Sequence, residues 1–160
     1  MNAKILIGLT SLLATSSLFA ADSIPPTPAP VTRTISYKHT ISQVSATGNF
    51  EIILTTAYSD RIILEGEQSP VEQVETVFKN GKLSVYDNRL DKTRALRIYV
   101  AAKELTHLSV YGQGTVSSEG KVVTSLQQVL LDGEIEVKVN ATGKVNVIAG
   151  YDYDLIQKKP

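Results

Sequence analysis

Acidic side chains at strand spacing are the groups in this chain best suited to breaking a bond. Glu134 and Glu136 are two positions apart, so an extended backbone projects both from one face, with Asp132 beside them and Asp152 and Asp154 as a second pair. Two such carboxylates can serve as acid and base on a glycosidic bond, or give oxygen ligands to calcium. Any solvated strand shows the same alternation, and these residues are read that way, so no catalytic residue is assigned. His39 and His107 are far apart, with no second histidine or thiol at ligand spacing. A zinc centre is not expected, and neither is any other metal or cofactor. Gly112-Gln113-Gly114 starts like a dinucleotide fingerprint, but residue 117 is serine and a valine-rich strand follows where a helix should begin. It is read as a turn. No Gly-x-Ser-x-Gly elbow, His-Glu-x-x-His or P-loop occurs. Arg89, Lys92, Arg94 and Arg97 suggest an anion site, yet Asp87 and Asp91 lie among them and a solvated loop is the reading. Asn140-Ala141-Thr142 matches a glycosylation sequon, a three-residue pattern of low information.

Binding is the other chemistry on offer. If Ile98 and Val110 face inward, alternation turns Tyr99 and Tyr111 outward, together with Arg97 and Ser109. A tyrosine presents a flat apolar ring with a polar tip, which suits a sugar ring or a protein partner. Segments 96–100 and 108–112 are separated by one turn, so the two tyrosines are expected to share a face. Tyr99, Tyr111 and Arg97 are the expected ligand-binding residues. The competing reading has the tyrosines packing over their neighbours' stems.

The elements that must carry these residues are organised around 105–141, one unit written twice. Leu105, Leu108, Val110, Gly112 and Val116 recur 21 positions later as Leu126, Val129, Leu131, Gly133 and Val137. A coil of parallel β-helix takes roughly 20 residues to return to the same edge. In the second copy Ile135, Val137 and Val139 point one way, and Glu134, Glu136, Lys138 and Asn140 the other. The expected fold is all-β: a short right-handed parallel β-helix-like stack of strands with a β-hairpin, with a β-sandwich as the alternative. Gly143 to Val147 reads as an imperfect third copy, with Val145 and Val147 inward.

Before the repeat, short strands are expected around Ile35-Ser36-Tyr37, Ile41 and Val44, then at 50–54 after a turn at Gly48-Asn49, and at 61–66. The apolar pairs Ile52-Ile53 and Ile62-Ile63 suggest strands covered on both sides. Ser69-Pro70-Val71-Glu72 predicts one short helical turn capped by serine, then a strand. Asn80-Gly81 predicts a tight hairpin, since both residues tolerate positive φ between apolar flanks. Residues 96–100 alternate cleanly, and 151–155 read as a final edge strand or cap.

The whole chain has 160 residues, 42% apolar and 20% charged, which is one ordinary domain. It has no tryptophan and three phenylalanines, so the core must be mainly aliphatic, as suits sheets. Lys4, the apolar run at 5–13 and Ser17-Leu18-Phe19-Ala20 predict a secretory signal peptide over 1–20, cleaved before Ala21. The run is shorter than the ~20 apolar residues of a spanning helix, so no transmembrane segment is expected after cleavage. Four prolines in 21–32 predict a stiff linker, which leaves a single all-β domain over 33–157. There is no cysteine, so packing alone must stabilise the fold and acylation at a lipoprotein cysteine is excluded. Basic and acidic residues balance at 16 each, which offers no long-range field for nucleic acid or anionic membrane.

Three stretches carry a family resemblance: Ile41-Ser42-Gln43-Val44-Ser45-Ala46-Thr47-Gly48-Asn49-Phe50-Glu51-Ile52, Asn80-Gly81-Lys82-Leu83-Ser84-Val85, and Leu105-Thr106-His107-Leu108-Ser109-Val110-Tyr111-Gly112. In order and spacing they resemble the head GIN domain family of bacterial auto-transporter adhesins. The likeness covers most of the chain after residue 33. It implies an exported, β-helix-like domain of the cell envelope, periplasmic or at the cell surface, and brings no catalytic residues. Family members usually continue with further glycine-containing repeats, whereas here the third copy is degraded. Two functions follow: a non-enzymatic binding or structural module that meets an envelope glycan or protein, or a polysaccharide-active enzyme on a short β-helix. Acidic residues gathered with a histidine or arginine in one groove would favour the enzyme. An uninterrupted solvated surface would favour the module, which is the preferred reading.

Overall fold

The computed structural model describes residues 29–56, 59–90, 94–142 and 145–149. The expected signal peptide, most of the linker and the expected strand at 151–155 lie outside these residues. The fold is all-β apart from one helical turn. In chain order the elements are β1 (Val31–Ser36), β2 (Gln43–Thr55), β3 (Arg61–Gly66), α1 (Gln68–Glu72), β4 (Val74–Lys79), β5 (Lys82–Asp87), β6 (Leu96–Ala101), β7 (His107–Ser118), β8 (Val122–Val123), β9 (Gln128–Lys138), β10 (Ala141–Thr142) and β11 (Val147–Ala149).

Three long strands, β2, β7 and β9, lie side by side in parallel. β7 and β9 pair at the spacing read from the sequence: Leu108 faces Val129, Val110 faces Leu131, Gly112 faces Gly133 and Val116 faces Val137. Each long strand consists of a first arm, a glycine, and a second arm. The first arm of β2 pairs with β5, which pairs with β4, while the second arm pairs with β6, then β3 and β1. β11 adds to the first arm of β9, and β8 and β10 form a separate short parallel pair.

Alternation explains which way the strands face. In β2, Val44, Ala46, Phe50, Ile52 and Leu54 are buried, and the same side continues through Leu108, Val110 and Val116 of β7 and Val129, Leu131 and Ile135 of β9. Period-two burial fixes the register, because a slip of one residue would turn the whole set to solvent. Val137 is half-buried against this core while Glu136 is exposed and paired with Lys138 at 2.7 Å. Val137→Asp is therefore expected to cost about 1–3 kcal/mol and Glu136→Ala less than about 0.5 kcal/mol, read from urea midpoints. Equal tolerance would mean the strand faces the other way.

Several local expectations meet the structure directly. Asn80 and Gly81 have φ of 52° and 77°, and Lys79 faces Lys82 across the hairpin they close. The helical turn forms, but Ser69 does not cap it: the N-cap is Glu67, without a side-chain cap, and Ser69 Oγ instead accepts from Gln73 Nε2 at 3.0 Å. Gly48-Asn49 and Gly112-Gln113-Gly114 are not turns, because β2 and β7 run through them as single strands. β1 starts at Val31, so the domain takes in the last two residues assigned to the linker. Nor are Ile53 and Ile63 covered on both sides: with Tyr99 between them in register, they form a half-exposed row on the outer face.

Candidate functional site

The two arms of each long strand meet at aligned glycines. Gly48, Gly112 and Gly133 face one another across β2, β7 and β9, with φ of 141°, 116° and 126°. A Cβ on Gly112 would sit 2.4 Å from the Gly48 carbonyl oxygen, and one on Gly133 would sit 1.9 Å from that of Gly112. Backbone packs against backbone down this column, which only glycine permits.

Asp87 ends the column beside Gly48, where a Cβ on Gly48 would meet its Cβ at 2.4 Å. This carboxylate is 3% exposed and its partner Arg89 8% exposed, which corrects the expectation of a solvated loop from residue 87 onward. Arg89 donates from Nε to Oδ1 at 2.7 Å and from Nη2 to Oδ2 at 2.8 Å, while the backbone N–H groups of Arg89 and Asn49 complete the shell. Burial works to raise the Asp87 carboxyl. The hydrogen bonds and charge of Arg89 outweigh it, and the group is held below the usual carboxylate range.

On the first arm, the outward residues fall into three rows across the sheet. One row runs Lys82, Gln43, His107 and Gln128. The middle row runs Val77, Ser84, Ser45, Ser109, Leu130 and Ile148. The third runs Glu75, Tyr86, Thr47, Tyr111 and Asp132. Val77, Tyr86 and Ile148 are exposed at 47%, 38% and 43%, high values for large apolar side chains gathered on one face. A depression of about 360 Å³ opens beside the glycine column, with Tyr111, Asn49, Gln113 and Asp132 in its walls.

The three residues expected to bind ligand are not brought together. Arg97 and Tyr99 are on β6 against the second arm of β2, where Arg97 faces Glu51 and Tyr99 faces Ile53; Tyr111 faces Thr47 on the first arm. Arg97 bonds Glu51 at 2.8 Å and Glu65 at 3.0 Å, and the Tyr99 hydroxyl donates to Glu65 at 2.8 Å. That bond, with some burial and the Glu65 charge, raises the Tyr99 hydroxyl above its ordinary pKa. The expectation of one shared tyrosine face thus gives way to two patches, because the glycine column lies between them. The acidic residues do not converge on one another either. Glu134 accepts from Gln113 Nε2 at 3.2 Å, Glu136 pairs with Lys138, and Asp132 lines the depression. Among the described residues, no three His, Asp or Glu side chains gather as a metal site. Nor is any described helix long and apolar enough to cross a membrane.

The sequence profile of the family described as "Putative auto-transporter adhesin, head GIN domain" matches residues 41–153. The chain belongs to the head GIN family. Three solved structures share this head GIN fold. A putative adhesin from Bacteroides fragilis NCTC 9343 superposes with a TM-score of 0.57 at 20% identity, over 78% of this chain and 60% of its own. A putative lipid binding protein from Parabacteroides distasonis ATCC 8503 gives 0.52 at 17% identity, over 76% and 58%. A putative adhesin from the same organism gives 0.52 at 10% identity, over 75% and 56%. The chain thus spans less than two thirds of the length of these neighbours. No curated protein matches it.

Two features of this head GIN chain escaped sequence reasoning. One is the upstream copy of the repeat: β2 is a full partner of β7, but Gln43 and His107 are 64 positions apart rather than 21. The signal was present as Val44, Ala46, Gly48, Phe50 and Ile52, hidden by the inserted elements. Of the weak copy expected over 143–147, residues 143 and 144 lie outside the described residues, and Val147 opens β11, opposite Val129 at an offset of 18. The other missed feature is the Asp87–Arg89 pair, whose residue types read as solvent-facing until β5 is seen to carry Asp87 inward.

Proposed function

We propose that this head GIN chain is an exported, non-enzymatic, adhesin-like binding module of the bacterial cell envelope, and that the outer face of the first arm is its binding surface. The observation that carries this reading is the placing of Tyr86 and the half-buried Tyr111 two strands apart on one solvated sheet face beside a row of serines, with Val77 and Ile148 exposed at the two ends of that row. A free sheet face ordinarily carries charged residues there; tyrosine rings spaced along a small-residue floor favour a partner. The leader pattern at 1–20 supports export to the periplasm or cell surface, and the family description together with the adhesin-named neighbours supports the adhesin-like role. The partner is an envelope glycan or protein. Tyr99 and Arg97 form the rival patch on the second arm.

Co-sedimentation of the full chain with isolated cell-envelope fractions tests the reading. Tyr86→Ala with Tyr111→Ala is expected to weaken binding about tenfold, the order of one lost aromatic anchor, with a melting temperature within a few degrees of the parent. Tyr99→Ala is expected to leave it unchanged. A loss confined to Tyr99→Ala would move the site to the second arm, and full binding by both variants would remove both patches.

A further inference from the structure

We propose that the first-arm face takes an acidic glycan laid across the strands, with sugar rings against Tyr86 and Tyr111 and carboxylates at Lys79 and Lys82. This inference rests on the binding-module reading above and names the ligand class.

The face is built as a shallow trough. Ser84, Ser45 and Ser109 stand in register on β5, β2 and β7. Neighbouring strands are about 4.8 Å apart, so these small side chains pave a floor roughly 10 Å long. Tyr86, Thr47 and Tyr111 form one rim, and Lys82, Gln43 and His107 the other. The rims are four residues apart along each strand, roughly 13 Å.

The two depressions on this side differ in charge. The one beside Tyr111 offers Asn49, Gln113 and Asp132, a mixture of donors and acceptors suited to sugar hydroxyls. The other, about 500 Å³, is bounded by Gln43, Val77, Lys79, Asn80, Lys82 and Ser84, with two cations and no carboxylate. Neither lysine has a salt-bridge partner among the described residues. A ligand that fills both needs hydroxyls and ring faces at one end and negative charge at the other.

A peptide fits less well. Extended peptides bind sheets by adding to an edge through backbone hydrogen bonds. Here β5, β2 and β7 are each paired on both sides along the trough, which leaves side chains and no free backbone edge to offer. Nucleic acid would need a broader cationic field than two lysines in a chain whose charges balance.

Isothermal titration calorimetry of the full chain tests this, with an oligogalacturonate and neutral cellohexaose as probes. The oligogalacturonate is expected to bind at least about tenfold more tightly than cellohexaose, the order expected from charge-assisted hydrogen bonds. Lys79→Gln with Lys82→Gln should remove that preference while circular dichroism remains unchanged, and raising salt from roughly 0.05 to 0.5 M should weaken the acidic ligand alone. Equal affinity for the two glycans would overturn the acidic assignment. If neither glycan binds while the tyrosine variant still loses envelope binding, the ligand class is wrong and the binding module stands. If the tyrosine variant keeps envelope binding, the module's surface itself is misplaced.

Discussion

Gly112→Ala is expected to destabilise the fold by about 3–5 kcal/mol, combining left-handed strain of about 1–3 kcal/mol with overpacking of about 1–3 kcal/mol. The methyl group would arrive 2.4 Å from the Gly48 carbonyl oxygen, in a column where the adjoining atoms are backbone and have no rotamer to change. Gly120 separates the two causes. Its φ is 70°, but nothing lies within 4 Å of its hypothetical Cβ, so Gly120→Ala bears the conformational cost alone, about 1 kcal/mol. Urea denaturation of both variants measures the difference. Equal midpoints would show that the strands do not approach as closely as the column requires.

Asp87→Ala should cost a similar amount, about 3–5 kcal/mol, because it leaves the Arg89 guanidinium buried without its counter-charge. Replacing both, as Asp87→Ala with Arg89→Met, should recover much of that loss, since the expense lies in the orphaned charge more than in the absent bond. The same pair makes stability depend on pH. The folded carboxyl is held below its unfolded value, so the native state binds fewer protons and Asp87 stabilises the fold above the ordinary carboxylate range. That contribution is lost as pH falls from about 4 through the depressed folded value. Melting curves should show an acid-side decline that is smaller in Asp87→Asn. An identical decline in parent and variant would show that Asp87 is not held below its unfolded value.

How much of this was visible in the residues depends on the range of the signal. The β7–β9 ladder is legible because identical spacing in adjacent parallel strands is a local pattern: Leu108, Val110, Gly112 and Val116 need only be compared with residues 21 positions on. The hairpin at Asn80-Gly81 was legible because two positive φ angles leave a chemical mark. In the sequence β2 reads as two strands around a turn, because a glycine between polar residues has the same composition whether the chain reverses there or continues through. Only the carbonyl of a neighbouring strand decides between them, and that neighbour is far away in sequence. The sequence puts Tyr99 and Tyr111 on one face for a related reason. Alternation gives the side of a strand, but it does not say whether two strands meet the same arm of a third.

The segments between the long strands behave like the pages of a ring binder: the holes must align, and the paper between them is free. The ladder joins Gln43 to His107 across 64 positions and His107 to Gln128 across 21, without losing register in either case. The longer interval holds five elements, β3, α1, β4, β5 and β6, and the shorter one holds the two-residue β8. Because lengthening a closed path adds entropy cost only logarithmically, the return segments are where a lineage can acquire new material while the stacked glycines stay untouched. Two of the strands that build the trough, β4 and β5, belong to the longer return segment. The surface proposed to meet a ligand is therefore built partly on a segment whose length the ladder leaves free.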